Sequence, residues 1–426
     1  MLVLVPKAFA ESGYGSEKHA LKIMSRLVCD NIQNCADFKA ACARRAKEEG
    51  RYCERVAKMK PTNPKSLLGS WIYFSSDQLK AIASDYNDTL KKLERDGWLN
   101  RNSHYSNFAG NKFTHSFQIQ SNWWSEPLKL YSVKQRLCKR KFTCVVGGNG
   151  GDLNGEYVAA ESFLDSFTLP EEKVDELDAL CELSSWPDRQ RQLIALMSAR
   201  CWWSSVDEYG RYHSPLTQLN KRFRKYITCE GENINGFDFV NFQPSLLTLQ
   251  QIFKIPEYEY EKYSSICKNE DIYLFMLERC SEYKTRDEVK TDFLAMLNKK
   301  NQYMVQMELF KTFQVSFPRY ADTVLKIKED SHLEMTKFLQ WHETQIMFGG
   351  LVRTLRTKSK SPFFTVHDEI YTPFSQRNIV KDVLKKIISK RNLCTRVKEK
   401  GLLSDQPLLP INVGMKVNTS YQSTLI

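Results

Sequence analysis

The stretch PFFTVHDEIY, Pro362 to Tyr371, is an apolar run broken in its middle by His367, Asp368 and Glu369 and then resumed. Apolar, aromatic and β-branched residues at this density read as a strand. Burying three polar groups inside it is costly unless something compensates them. A divalent cation would do so; a hairpin turn that leaves the three side chains in solvent is the alternative. A second short strand, GFDFVNFQP, carries Asp238 and ends at Pro244. Carboxylates paired from neighbouring strands can hold two magnesium ions about 3.5–4 Å apart, which suits in-line displacement at phosphorus. The segment TRDEVKTDFLAMLNKK, Thr285 to Lys300, predicts a helix capped by Thr285. Its Arg286 and Lys290 share one face, about 6 Å apart along the axis, and Leu294 and Leu297 continue that face. Two cations near the positive end of a helix repel it. A bound triphosphate would relieve that repulsion, whereas a solvated face partly neutralised by Asp287 and Glu288 would need no ligand.

Composition bounds what these segments can belong to. A chain of 426 residues, 42% hydrophobic and 26% charged, suggests two or three globular domains and excludes wholesale disorder, a collagen-like fibre and a disulfide-knotted miniprotein. No run approaches the roughly 18 apolar residues that would span a bilayer. The start, MLVLV, breaks at Pro6 and Lys7 and lacks a basic n-region, which argues against a secretory signal. The twelve cysteines then read as reduced thiols of a cytosolic protein. Cys29, Cys35, Cys42 and Cys53 are spaced too widely for zinc knuckles. Sixty-two Lys and Arg against fifty Asp and Glu leave +12, which suits a polyanionic partner as well as it suits a merely basic soluble protein. The basic clusters KQRLCKRK (from Lys134), KRFRK (from Lys221) and RTLRTKSK (from Arg353), with the run Lys381 to Lys400, recur along the chain, as a long groove would require.

The segments divide the chain into four parts. Residues 1–64 read as helical, rich in Ala, Lys, Arg and Glu and ended by Pro61 and Pro64. In residues 65–135, Ser75 and Ser76 can cap a helix from Asp77, LKKLERDGWL reads as a second helix ending at a glycine, and Tyr105 to Ile119 reads as a hairpin about Gly110 and Asn111. Helix, helix, glycine and β wing resemble a winged helix-turn-helix, which contacts DNA or docks a protein. Residues 136–175 read as a linker region centred on GGNGGDLNG, Gly147 to Gly155; no Lys-Ser/Thr pair follows to make it a phosphate loop. Residues 176–426 read as one larger domain.

Taken in order, the three segments resemble motifs A, B and C of the family A DNA polymerases and their single-subunit phage RNA polymerase relatives. Val366 to Glu369 is similar to the motif C signature, Arg286 and Lys290 to the start of the fingers helix, and Asp238 to the opening of motif A. YGRYHSPLTQLNKRFRKYI, from Tyr209, resembles the segment that lies along the primer–template duplex, and LQWHETQIMFGGLVRTL, from Leu339, the palm helix that leads into motif C. The likeness spans about 190 residues, with 52 from Asp238 to Lys290 and 78 from Lys290 to Asp368. It implies an α+β fold: a polymerase palm with an antiparallel sheet and helical fingers, preceded by the winged-helix-like domain and the N-terminal helices.

The same resemblance implies the roles. Asp238 and Asp368 would ligate two Mg2+ ions, with Mn2+ able to replace them, and His367 and Glu369 would shape the catalytic turn. Arg286 and Lys290 would clamp a nucleoside triphosphate and stabilise the leaving pyrophosphate. Arg211 would hold the primer end or template backbone and Arg224 a neighbouring phosphate, with Lys221, Arg222 and Asn241 further contacts to nucleic acid. Gln243 stands where the family places a glutamate against the sugar 2′ position, so the choice between deoxy- and ribonucleotides is open. Leu294 and Asn298 stand where aromatic residues or methionine are expected against the nucleotide. The form Asp-x-x-Asn-x-Gln-Pro, Asp238 to Pro244, is closest to divergent phage and mobile-element palms. The function implied is a template-directed DNA polymerase of a phage or mobile element, without a proofreading exonuclease. Its partners would be DNA template and primer, nucleoside triphosphates and a replication protein at the N-terminal region, with no membrane. A primase-like or single-subunit RNA polymerase is the alternative within the class, and a catalytically silent DNA-binding initiator the alternative outside it.

Overall fold

The computed structural model describes residues 2–48, 68, 71–75, 79–80, 85–102, 114–124, 126–132, 145–146, 153–200, 202–207, 209–249, 255–359 and 361–401. Six short strands form one antiparallel sheet: β1 (Phe167–Thr168), β2 (Thr228–Cys229), β3 (Glu232–Val240), β4 (Phe364–Val366), β5 (Glu369–Pro373) and β6 (Arg396–Gly401). The order is β4-β5-β3-β2-β1, and β6 lies on the other side of β3 from β5. β3 pairs with β5 through Ile234 to Asp238 and with β6 through Asn235 to Val240. Strand alternation then sorts the side chains onto two faces. Phe237 and Phe239 join one buried core behind the sheet, while Phe364, Val366 and Tyr371 join a second core in front of it. Gly236, Asp238, Glu369 and Tyr371 belong to the front face.

The rear core is mostly helical. Between β3 and β4 the chain runs through Glu257–Asn269, Ile272–Leu277, Arg286–Asn298, Glu308–Ser316 and Pro318–Ile327. Tyr263, Phe293, Phe313, Phe317 and Tyr320 interlock there edge to face. The helix Leu333–Ile346 continues without a break through a π-helical turn, Met347–Val352, into Arg353–Lys358, and so delivers the chain to β4. A π-turn inside a helix is frequently a feature of functional sites. The helix Arg377–Lys390 buries Val380, Val383, Leu384 and Ile387 as it packs on β5 and β6.

The N-terminal half departs from its sequence reading in three places. Leu2–Pro6 is a strand buried along its whole length, paired with Leu128–Ser132, so the apolar start is core and the first sixty residues are not purely helical. The helix Lys18–Glu48 follows as expected. Ser75 ends the strand Ile72–Ser75, and Ser76 and Asp77, where the sequence predicts the helix to begin, lie outside the described residues. That strand, with Leu99–Asn102 and Thr114–Ile119, forms a three-stranded sheet after the helix Tyr86–Arg95. The hairpin arms therefore sit at Leu99 and Thr114, and its tip, including Gly110 and Asn111, lies outside the described residues. Gly147 to Asp152 also lie outside them, but Leu153 and the helix Asn154–Ser162 are no linker: Leu153 and Tyr157 are buried. One continuous core joins residues 2–32, 68–130 and 164–234 across the expected boundaries. Among the described residues no helix is long and apolar enough to cross a membrane.

Gly236 shows how tightly the front face is set. A Cβ there would lie 2.6 Å from Cε1 of Tyr371, whose ring is itself stacked on Phe364 with centroids 4.8 Å apart. Gly236→Ala is expected to cost about 1–3 kcal/mol by overpacking, measured by urea denaturation. An unchanged midpoint would show that the ring can move aside.

Candidate active site

The hairpin of β4 and β5 is closed by two residues, His367 and Asp368, with His367 in the left-handed region at φ 56°. That conformation is unusual for a residue with a side chain. It stands Asp368 at the hairpin tip beside Glu369, which lies directly across from Asp238 in the β3–β5 register. The two aspartates, far apart in the chain, thus meet at one end of one sheet. Asp368 is pushed up to about 8, first by burial and then by the charges of Glu343, Asp238 and Glu369. It has no ion-pair partner among the described residues.

Its neighbours are all neutralised. Glu369 binds Arg224, accepts from Tyr371 Oη at 2.5 Å and takes Lys400 Nζ on its other oxygen at 2.5 Å. Burial alone would raise Glu369, but Arg224, Lys400 and Tyr371 outweigh it and hold the carboxyl below its usual range. Asp238 Oδ2 meets Lys400 Nζ at 2.8 Å. Glu343, buried on the helix Leu333–Ile346, takes a two-pronged bond from Arg211 at 3.0 and 2.9 Å. His367 is pushed down to about 4 by burial, with Arg211, His213 and Arg224 adding to the shift, so its ring is neutral near pH 7. Its Nδ1 is buried without a hydrogen bond.

Arg211 is held by a turn built for it. Asp207 Oδ1 accepts from the backbone N–H of Tyr209 and Arg211, and its other oxygen meets His213 Nε2 at 3.1 Å. Gly210 takes φ 86°, and its carbonyl accepts from Tyr157 Oη at 2.7 Å. Tyr157 comes from the helix that the sequence assigns to a linker, and in the rear core it stacks on Tyr212 and meets the tilted ring of Phe348.

The helix Arg286–Asn298 begins as expected. Thr285 accepts from the Glu288 N–H, and Glu288 returns a bond to the Thr285 N–H, a full capping box. Arg286 does not stand beside Lys290 as a bare pair of cations. Its guanidinium donates to Asp271 at 2.8 Å and lies 5.1 Å from the ring centre of Tyr273. Tyr273 is buried, and its hydroxyl pKa is raised by burial first, then by Cys267, Asp271 and Asp368. It therefore stands within electrostatic reach of both Arg286 and the hairpin tip. Lys290 is exposed and has no ion pair among the described residues. Leu294 is half-buried; Asn298 is exposed, donating to the Leu294 carbonyl at 2.8 Å and accepting from Thr336.

Other expected contacts fall differently. Asn241 is buried, left-handed at φ 54°, and its amide donates to the carbonyls of Cys267 at 3.3 Å and Glu270 at 3.2 Å. It fastens the end of β3 to the C-terminal end of the helix Glu257–Asn269. Arg224 is spent on Glu369 and Tyr371, not free for a phosphate. Lys221 and Arg222 are exposed, and Gln243 is half-buried on the short helix Phe242–Leu246. The sequence reading named neither Glu343, Lys400, Tyr371 nor Asp271 as site residues. Glu343 alone carried a signal, a lone carboxylate in the quoted helix before the hairpin.

Among the described residues, no three or more His, Cys, Asp or Glu side chains converge to hold a metal by themselves. Asp238 and Asp368 offer two hard oxygen donors, and magnesium takes one or two carboxylates and completes its shell with water and phosphate oxygens. The Asp368 carboxyl, pushed up by burial and by its acidic neighbours, would ionise on meeting such an ion. No protein-family model matches the chain, and no curated protein matches it in sequence. Solved structures similar to it include the POL domain of Pol1 from M. smegmatis in complex with DNA primer-template and dNTP. The two share 13% identity with a TM-score of 0.35, over 53% of this chain and 54% of that one. The match thus spans about half the length of each chain.

The raised Asp368 carboxyl gives a stability signature. A carboxyl whose pKa is higher in the folded chain than in the unfolded one favours folding below pH 4 and loses that contribution as pH rises toward 8. In metal-free buffer, Asp368→Asn is expected to raise the melting temperature more at pH 8 than at pH 5. Equal shifts at both pH values would show that Asp368 is not desolvated.

Proposed function

We propose that the chain is a template-directed nucleotidyltransferase. In its finer form it is a magnesium-dependent DNA polymerase of a phage or mobile element that extends a primer, releases pyrophosphate and does not proofread. The observation that carries this reading is the meeting of Asp238 and Asp368, 130 residues apart in sequence, at a point where one carboxylate lacks a counter-ion among the described residues. Bound there, magnesium would polarise the phosphoryl group and offset the charge of the leaving phosphates.

The chain's own residues divide the remaining work. Asp238 and Asp368 hold the ion, and Glu369 holds the hairpin through Arg224, Lys400 and Tyr371. Lys290, exposed and unpaired among the described residues, presents its ammonium to a triphosphate, and Arg286, one turn before it, would join it by exchanging Asp271 for phosphate. The primer 3′-hydroxyl would give its proton to water and bond to the α-phosphorus as the bond from that phosphorus to the bridging oxygen breaks and pyrophosphate leaves. Arg211, oriented by buried Glu343, meets the primer end or template backbone. Lys221 and Arg222 add phosphate contacts that carry no sequence information. The helix Tyr86–Arg95 and its three-stranded sheet form a winged-helix-like unit that receives DNA or a replication protein.

Extension of a primed template with magnesium tests the reading. Asp238→Ala and Asp368→Ala are each expected to abolish product in folded protein, and product from either would refute the site. Lys290→Ala is expected to slow extension about 10²–10³-fold, as loss of one preorganised charge contact does. If Gln243 faces the sugar, Gln243→Glu sharpens discrimination against ribonucleotides in the same assay, and an unchanged ratio removes that role.

A further inference from the structure

We propose that Lys400 is a resident cation of the acidic site. It is seated on Asp238 where a divalent ion must bind, and so sets how tightly the chain takes magnesium or manganese. The inference rests on the reading that Asp238 and Asp368 hold the ion.

Lys400 reaches the site from β6, whose register places it opposite Gly236 and places Lys398 opposite Asp238. These positions share the front face with Glu369 and Tyr371, since residues opposed across an antiparallel pair point the same way. Lys398, the nearer neighbour in register, is exposed and forms no ion pair among the described residues. Lys400 instead reaches diagonally, its ammonium 2.8 Å from Asp238 Oδ2 and 2.5 Å from Glu369 Oε1. Gly236 contributes no side chain in the row that Lys400 faces.

Glu369 does not need this lysine for neutrality, because Arg224 already pairs with its other oxygen. The charge that Lys400 uniquely offsets is that of Asp238. An ammonium and a divalent ion cannot both sit on Oδ2, and even on adjacent oxygens they repel. A third of the Lys400 side chain is exposed, 31%, so the ammonium has water to move into when the ion arrives. The carboxylate pair is thus kept in register by a cation of the chain itself.

Manganese binding to the full chain without nucleotide, followed by the paramagnetic signal of the free ion, tests this. Lys400→Met and Lys400→Gln are expected to bind Mn2+ about tenfold more tightly than the original chain, the change a 1.4 kcal/mol repulsion makes. Adding Asp238→Asn to either should erase the gain. Unchanged or weaker affinity in variants that melt cooperatively would overturn the inference. Should both variants fail to fold, acetylation of the unaltered chain decides, read by peptide mass. Lys400 is expected to react faster when Mn2+ saturates the site, with Lys398 unchanged as the control; a rate indifferent to Mn2+ overturns the proposal. Binding that needs Asp238 and Asp368 but ignores Lys400 leaves the metal site standing and removes only this role. Binding that ignores both aspartates removes the metal site and the lysine's role together.

Discussion

Four carboxylates, Asp238, Glu343, Asp368 and Glu369, crowd the end of one sheet, and the arrangement of everything near them answers their repulsion. Arg211 takes Glu343, Arg224 takes Glu369, and Lys400 bridges Asp238 and Glu369. Asp368 is left over, and its carboxyl rises to about 8. Breaking a buried pair by removing one partner typically costs about 3–5 kcal/mol, which binds Arg211 and Arg224 into the fold, whereas Lys400, a third exposed, is held less firmly. The hairpin can hold a strained His367 at its tip because the strands on either side are fixed by these pairs.

The cations come from distant parts of the chain, which ties the two cores together. Arg211 is aimed by the Asp207 turn and by Tyr157, whose helix is anchored from the other side by Glu156 against Arg353 and Arg356. Arg353 and Arg356 continue the helix that carries Glu343 and the π-turn. One rod therefore supplies the buried acid and, through its far end, braces the turn that holds the matching arginine. Arg224 stands on the short helix Lys221–Tyr226 just before β2, so its pair with Glu369 spans the front of the sheet.

What could be read from the sequence follows from the range of the interactions involved. The strand about Asp238, the hairpin at His367 and Asp368 and the capped helix at Thr285 are local, written in apolar alternation and in one capping residue. Glu343, Lys400 and Asp271 act through partners 132, 162 and 15 residues away, and no periodicity announces such pairs. Arg224 and Asn241 were misread for a related reason. A basic cluster and a polar residue after a strand look available to phosphate until the fold commits them to Glu369 and to two backbone carbonyls. The strand Leu2–Pro6 was hidden by its position, since five apolar residues at a terminus look like no element until Leu128–Ser132 pairs with them.

The helix Arg286–Asn298 shows how the same charge logic extends to the helices behind the sheet. Two cations on its first turns oppose the helix dipole, and the fold resolves only one of them. Asp271 and the Tyr273 ring take Arg286, and the same tyrosine feels the field of Asp368. Lys290, one turn on, is left in solvent among the described residues. Lys290 on the helix and Asp368 at the hairpin tip are thus the two groups left without an ion pair among the described residues. They do not cancel directly, because Asp271 and Tyr273 stand at the near end of the helix and hold Arg286 back. A polyphosphate carrying a divalent ion has the complementary pattern, cation toward the carboxylates and anion toward the helix.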